Sequence, residues 1–176
     1  MIILQPFERA DFDELIRWSG DEAFLLQWSG PQFRFPLSED QLEAYVQGAN
    51  EPDVSDRLVY KAVDPSSGAV VGHVSLGAID RYNRSGRVGK VLVFGDYRGR
   101  GYGSGILHEI LRIGFDNLQL HRISLGVFDF NLSALRLYEQ AGFVREGLIR
   151  DSRRHGDTYW NLIEMGMLES EWKNRE

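Results

Sequence analysis

The 176-residue sequence has no cysteine, only three lysines (Lys61, Lys90 and Lys173) and no apolar run longer than a few residues. Each shortage removes a class of function. Without cysteine there is no disulfide scaffold, no Cys-ligated zinc and no thiol nucleophile. The start, strand-like over Met1 to Leu4 and then Gln5, Pro6 and Glu8, lacks the apolar core of a signal peptide, and no segment is long enough to span a bilayer. A cytoplasmic protein is the simplest expectation. Basic charge is scarce at the N-terminal end: residues 1–56 carry 12 acidic side chains against Arg9, Arg17 and Arg34, a balance of −9 within a total of −6. That distribution argues against nucleic acid as a partner. It fits either acidic solvent faces on N-terminal helices or a field divided between a cation-attracting side and an anion-attracting remainder of +3.

What is present is enough for a folded globule of one domain: 43% of the residues are hydrophobic and 12% aromatic. Ile2–Leu4 reads as a short strand. Helical spacing follows over Ala10–Trp18 and Ala23–Trp28, and Ser38 with Gln41 three positions on predicts a capping box before Leu42, Tyr45 and Val46. Residues 50–56 read as loop. Alternation then predicts strands over Arg57–Val63, Ala69–Leu76 and Arg87–Phe94. Next come a helix over Ser104–Phe115, a strand over Arg122–Val127, a helix over Ser133–Gln140 and a strand over Phe143–Glu146. A closing hairpin turns at Arg154–Asp157 into Thr158–Leu168. The order implies a single α+β (mixed α/β) domain with about seven strands.

The densest chemical signal lies after Val91-Leu92-Val93-Phe94, where Arg98-Gly99-Arg100-Gly101-Tyr102-Gly103-Ser104-Gly105 opens an amphipathic helix. A strand, a glycine loop and a helix start direct free N–H groups and the positive helix end at an anion, and the arginines add charge. The alternative is a turn that is merely glycine-rich. The dinucleotide-binding fingerprint fails, because glycines at offsets of two and five are not met from Gly99 or Gly101. A P-loop fails for want of Gly-Lys-Ser/Thr. What remains is Arg98-x-x-Gly101-x-Gly103 after an apolar strand.

That segment resembles the acetyl-CoA pyrophosphate loop of the GNAT superfamily of N-acetyltransferases. Asn131-Leu132-Ser133-Ala134-Leu135-Arg136-Leu137-Tyr138-Glu139-Gln140-Ala141-Gly142-Phe143 is similar to a second signature of that family. The stretch from Glu146 to Leu168 resembles the final hairpin of the branch containing ribosomal-protein N-terminal and polyamine acetyltransferases. The resemblance runs from Val59 to Leu168 and is weak over the first fifty residues. It implies a GNAT-like central mixed sheet flanked by helices and acetyl-CoA as acetyl donor. It also implies that Val91, Leu92 and Val93 hold the pantetheine arm and acetyl carbonyl, that Arg98, Gly99, Arg100, Gly101, Tyr102, Gly103 and Ser104 hold the pyrophosphate, and that Asn131 is a further cofactor contact. Tyr138 would be the general acid beside the sulfur; it would equally serve as a core aromatic, sharing a helix face with Leu135 and Ala141.

One position departs from the resemblance. Many members of this branch carry a Glu near the start of the cofactor-binding strand, at the position matched here by Arg87, which leaves the proton acceptor open among His73, Asp80, Glu22 and a backbone carbonyl reached through water. His73 also reads as a core histidine. His108, His121 and His155 show no metal-ligand spacing, and no metal is expected. Trp28, Phe33 and Phe35 form an aromatic cluster beside Asp21 and Glu22; it is either core or an acceptor entrance whose carboxylates receive a cationic amine. Direct transfer to a primary amine follows from the absence of Cys and of a nucleophile elbow. The acceptor would be a peptide or protein N-terminus, a polyamine or another small amine. The competing function is a non-catalytic acyl-CoA-binding sensor, on the ground of Arg87. A homodimer would use an exposed final strand.

Overall fold

A computed structural model describes residues 2–175; Met1, placed above at the head of the first strand, lies outside them. Seven strands form one sheet in the order β1-β2-β3-β4-β5-β7-β6. They are β1 (Ile3–Pro6), β2 (Leu58–Val63), β3 (Val70–Asp80), β4 (Ser85–Val93), β5 (Arg122–Phe128), β6 (Val144–His155) and β7 (Thr158–Leu168). All neighbours are antiparallel except β4 and β5. Parallel strands need a crossover, and helix α4 (Tyr102–Arg112) supplies it.

Helices cover both faces because the strands alternate. Leu58 and Ala62 face α4, whereas Val59 between them faces the opposite helices α1 (Phe12–Arg17), α2 (Glu22–Ser29) and α3 (Glu39–Val46). The α4 stripe of Ile106, Leu107, Ile110 and Leu111 is fully buried, at roughly 1.5–3 kcal/mol for each side chain of this size. Leu135 and Tyr138 of α5 (Leu132–Ala141) join that core, and Phe12, Leu15, Leu25 and Leu42 form the other.

Several expectations shift. The expected helix over Ser104–Phe115 starts two residues earlier and passes into a π-helical segment, Ile113–Asn117. The short strand expected to end at Glu146 runs on to His155. It is exposed along nearly its whole length, so no alternation marks it. A sixth helix, α6 (Glu169–Lys173), follows β7, held by Trp172, which stacks on Phe115 and donates to Asp116 Oδ1 at 2.8 Å. The predicted capping box is not formed: Gln41 instead bonds the backbone of Arg34 and Pro36, tying down the loop before α3. The final strand β7 lies between β5 and β6, so the edge strand at that end of the sheet is β6, with Val144, Leu148 and Ile149 about half exposed.

Candidate active site

The site begins where the sheet opens. Strands β4 and β5 pair at Ser85–Arg122, Gly86–Ile123 and Arg87–Ser124 and then separate, although β4 continues to Val93 and β5 to Phe128. Beyond Arg87 the β5-facing groups of β4 have no partner in that strand. Two cavities flank the opening, and Gln27 and Trp28 from the end of α2 line both.

The first cavity, about 510 Å³, is lined by Val91, Leu92 and Val93, by the glycine loop and by α5. Eleven of the twelve residues expected for cofactor and acid line it. Arg100 does not: its guanidinium lies 5.8 Å from the Tyr97 ring centre. Gly99 and Gly101 have φ of +76° and +80°, left-handed values that a Cβ would strain, and a Cβ built on either meets nothing within 4 Å. The loop is therefore an open cradle. Above it, the N–H groups of Tyr102, Gly103 and Ser104 belong to the first turn of α4 and have no intrahelical acceptor. Arg98 and Arg136 line the cavity, and among the described residues no carboxylate does. Arg98 is aimed by its Nε, which donates to the Val93 carbonyl at 3.2 Å, and by the Phe24 ring, 5.2 Å from its guanidinium. These residues fit a pyrophosphate. The loop is held from below by Tyr102, whose hydroxyl donates to Asp64 Oδ2 at 2.6 Å. That bond, with the bonds from Ser66, pulls the Asp64 carboxyl down to about 2.

Asn131 caps α5 through Oδ1, which accepts from Ala134 N at 3.2 Å, so its Nδ2 stays available to the cavity it lines. Tyr138 is 8% exposed, and its hydroxyl makes no hydrogen bond among the described residues. Burial pushes its pKa up to about 12. A phenol so placed keeps its proton at any physiological pH. A thiolate formed in the same cavity would be desolvated too, which raises its appetite for that proton.

The second cavity, about 400 Å³, lies on the α2 side and is lined by Trp28 to Gln32, Ser75, Arg87 to Lys90, Gly126, Phe128, Arg153 and Leu162, among others. Arg87, the departure noted in the sequence, donates through both terminal nitrogens to Glu164 of β7, one bond being 2.8 Å, and to Ser124 Oγ at 3.2 Å. Gly126 makes room for it, since a Cβ there would fall 2.7 Å from Arg87 Nη2. Glu164, 77 residues away in sequence, is thus the counter-ion of Arg87. No local signal could have announced that pairing. Lys90 likewise carries no local signal in the sequence: it sits in a β-bulge with φ of +51°, its Nζ 4.8 Å from the Tyr45 ring centre and 5.4 Å from that of Phe33. Burial lowers its pKa to about 8.

Other expected residues fall elsewhere. Asp21 caps α2, accepting from Phe24 N at 2.8 Å, and it and Glu22 are exposed and line neither cavity. Phe33 is core and Phe35 is half exposed. Of the open proton acceptors, His73 is fully buried, Asp80 is engaged by Asn83, and none of His73, Asp80 and Glu22 lines the second cavity. Among the described residues no group of three or more His, Cys, Asp or Glu could hold a metal, and no helix is long and apolar enough to cross a membrane.

A mixed sheet that opens beside a glycine cradle at a helix start is the frame of a CoA-dependent acyltransferase. The GNAT acetyltransferase domain model matches residues 1–144, including the first fifty, where the resemblance read from the sequence is weak. The chain belongs to the GNAT family and is an N-acetyltransferase with acetyl-CoA as donor. Its relatives include the SPbeta prophage-derived N-acetyltransferase YokL of Bacillus subtilis, 29% identical over 97% of this chain and 89% of that one. Another is the spermidine N(1)-acetyltransferase of Vibrio cholerae, 25% identical over 99% and 96%. Among solved structures, the V. cholerae spermidine acetyltransferase in complex with CoA and spermine has the same fold, with a TM-score of 0.84 over 98% of both chains at 24% identity. A further structure of that enzyme is dodecameric.

Proposed function

We propose that acetyl passes directly from acetyl-CoA in the first cavity to a primary amine entering through the second, at the gap between β4 and β5. The single observation that carries this is the loss of β4–β5 pairing after Arg87: β4 then lines the second cavity through Arg87–Lys90 and the first through Val91–Val93, and Gln27 and Trp28 border both. The donor supplies an acetyl thioester: a C–N bond forms, the C–S bond breaks, and the amine proton must leave as the sulfur gains one. The chain's own residues do the rest. Arg98 and the α4 N-terminus bind the pyrophosphate, with Arg100 at the rim. Val91, Leu92 and Val93 align the pantetheine arm, and Nδ2 of Asn131 contacts it. The unpaired edge of β4 offers N–H groups to the carbonyl oxygen as charge builds on it. Tyr138 gives its proton to the departing sulfur.

The attacking nitrogen must be uncharged. At pH 7 an α-amine of pKa about 7.8 is neutral in about one molecule in ten, and a Lys-like amine in roughly one in a thousand. Among the described residues no side-chain base other than Lys90 lines the cavity, so the proton leaves through water or a backbone carbonyl. Trp28 forms the wall between donor and acceptor, while Asp21 and Glu22, at the far end of α2, line neither cavity. The relatives' names make a polyamine one acceptor class to test and a peptide N-terminus another. Self-association through the β6 edge is the proposed assembly, read by light scattering. The deciding experiment incubates the protein with acetyl-CoA and a panel of amines, following thiol release and the acetylated product by mass spectrometry. Thiol release with product mass +42 is expected; CoA binding without transfer to any amine would leave a sensor as the function.

A further inference from the structure

The charge of the acceptor cavity is opposite to that expected from the acidic N-terminal segment. Three cationic side chains line it, Arg87, Lys90 and Arg153, and among the described residues no carboxylate does. Glu164 lies behind Arg87 and saturates part of that guanidinium without reaching the cavity wall. Asp56 lines only an adjoining smaller cavity, where Arg57 is 3.7 Å away. Arg153 has no carboxylate partner among the described residues; it donates only to the Ser152 carbonyl, at 2.8 Å. It is carried to the cavity by the irregular stretch of the β6–β7 pairing between Ile149 and Arg153, where Asp151 has φ of +50°.

A polyamine entering here would bring two or more positive charges towards Lys90 and Arg153, which have no carboxylate partner among the described residues, and would meet only the Glu164 carboxylate already paired with Arg87. From this we propose that the acceptor is a primary amine that itself carries a carboxylate, held by Arg153 and the free edge of Arg87, with Lys90 at the inner end. Such a ligand supplies the anion that the cavity lacks, and guanidinium groups bind carboxylates in bidentate geometry. The proposal rests on the acetyl transfer argued above and narrows its acceptor. Its two sources, a free amino acid and a peptide with an acidic first residue, share the chemistry and are separate arms of the test.

The experiment uses matched acceptors: aspartate and glutamate against their amide or ester counterparts, acidic against amidated dipeptides, and spermidine. The acid forms are expected to exceed their neutral counterparts in kcat/KM by about ten- to a hundred-fold, the worth of one charge-assisted contact. Spermidine should be poorer still. Arg153→Glu should reverse the order, and Arg153→Gln should shrink the ratio through KM. Calorimetry provides a readout apart from turnover: with CoA bound, the wild type should take N-acetylglutamate more tightly than its diamide, and Arg153→Gln should lose the difference. Equal use of acid and neutral counterparts, or a preference for spermidine, overturns the proposal while leaving acetyl transfer intact. Transfer to no amine at all overturns both.

Discussion

Replacing His73 with leucine should flatten the pH dependence of stability above pH 5. The ring is fully buried, with Nδ1 3.0 Å from the Lys90 carbonyl. A carbonyl only accepts, so Nδ1 carries the hydrogen, and Nε2 is left without a partner among the described residues. A second proton on Nε2 would sit within a cage of Phe7, Tyr45 and Trp28, whose ring centres are 5.0, 5.9 and 6.2 Å away. Burial is the largest influence and pushes the pKa from 6.5 to about 4; the bond to Lys90 and the Asp11 charge oppose it, and the Lys90 charge reinforces it. The folded state therefore prefers the neutral ring, while the unfolded chain takes up a proton as pH falls through 6.5. The stabilisation is complete above 6.5, shrinks as pH falls towards 4, and is gone below it. The whole interval is worth about 3 kcal/mol at 1.36 kcal/mol per tenfold step. Roughly 1 kcal/mol of it is lost between pH 7.5 and 5.5, before carboxylates begin to titrate. Urea unfolding at those two pH values measures it. His73→Leu will be weaker at both, since the Lys90 carbonyl loses its donor, but its difference between them should be smaller than wild type by that amount. Equal differences would refute the reasoning.

Tyr138→Phe keeps the ring and removes a hydroxyl that has no partner, so the thermal midpoint should hold while kcat falls about 10²- to 10⁴-fold; unchanged turnover would remove the acid role. Gly101→Ala forces a Cβ into φ of +80°, a cost of about 1–2 kcal/mol, and should lower both the melting temperature and the CoA affinity measured by calorimetry. At Lys90, with φ of +51°, glycine should be at least as stable as alanine, whereas at an ordinary position glycine is worse by roughly 0.4–1 kcal/mol. Denaturation of the two variants decides the sign, and both should raise the KM of an acidic acceptor.

The parts legible in the sequence are those set by neighbours along the chain. Gly99 and Gly101 announced the cradle because left-handed backbone next to a helix start is a local demand, and α4 and α5 declared themselves by apolar spacing. β6 extends nine residues beyond the strand the sequence predicts, because an edge strand exposed on both faces shows no alternation. The capping box failed at Gln41 because the loop at Arg34 and Pro36 offered better-placed backbone groups than the Ser38 N–H. Nothing local could place Glu164 against Arg87, Arg153 above the second cavity, or the point where β4 leaves β5. Charge counting misled for the same reason: the acidic residues 21 and 22 are near the site in sequence only through α2, and that helix turns its other end towards it.

The position of Lys90 shows how stability and site are bound together. A flat β4 would keep its register with β3 through Lys90 and Val91. Instead the register shifts opposite Val74, and Lys90 takes a backbone conformation that L side chains avoid. The cost is met by buried groups around α1 to α3 and one surface residue: His73 holds the Lys90 carbonyl, the Tyr45 and Phe33 rings lie against its ammonium, and the exposed Gln32 accepts from it. The bulge turns the next residues, Val91 to Val93, towards the first cavity while leaving the lysine in the second. A buried histidine with an empty nitrogen is costly for a fold that needs only packing, since an apolar side chain would fill the space without the acid sensitivity. It is explained if its task is to hold one carbonyl of a strained strand between donor and acceptor. Loosening the cluster around His73 should then be felt at the acceptor before it is felt at the pyrophosphate cradle, which is anchored separately through Tyr102 and Asp64.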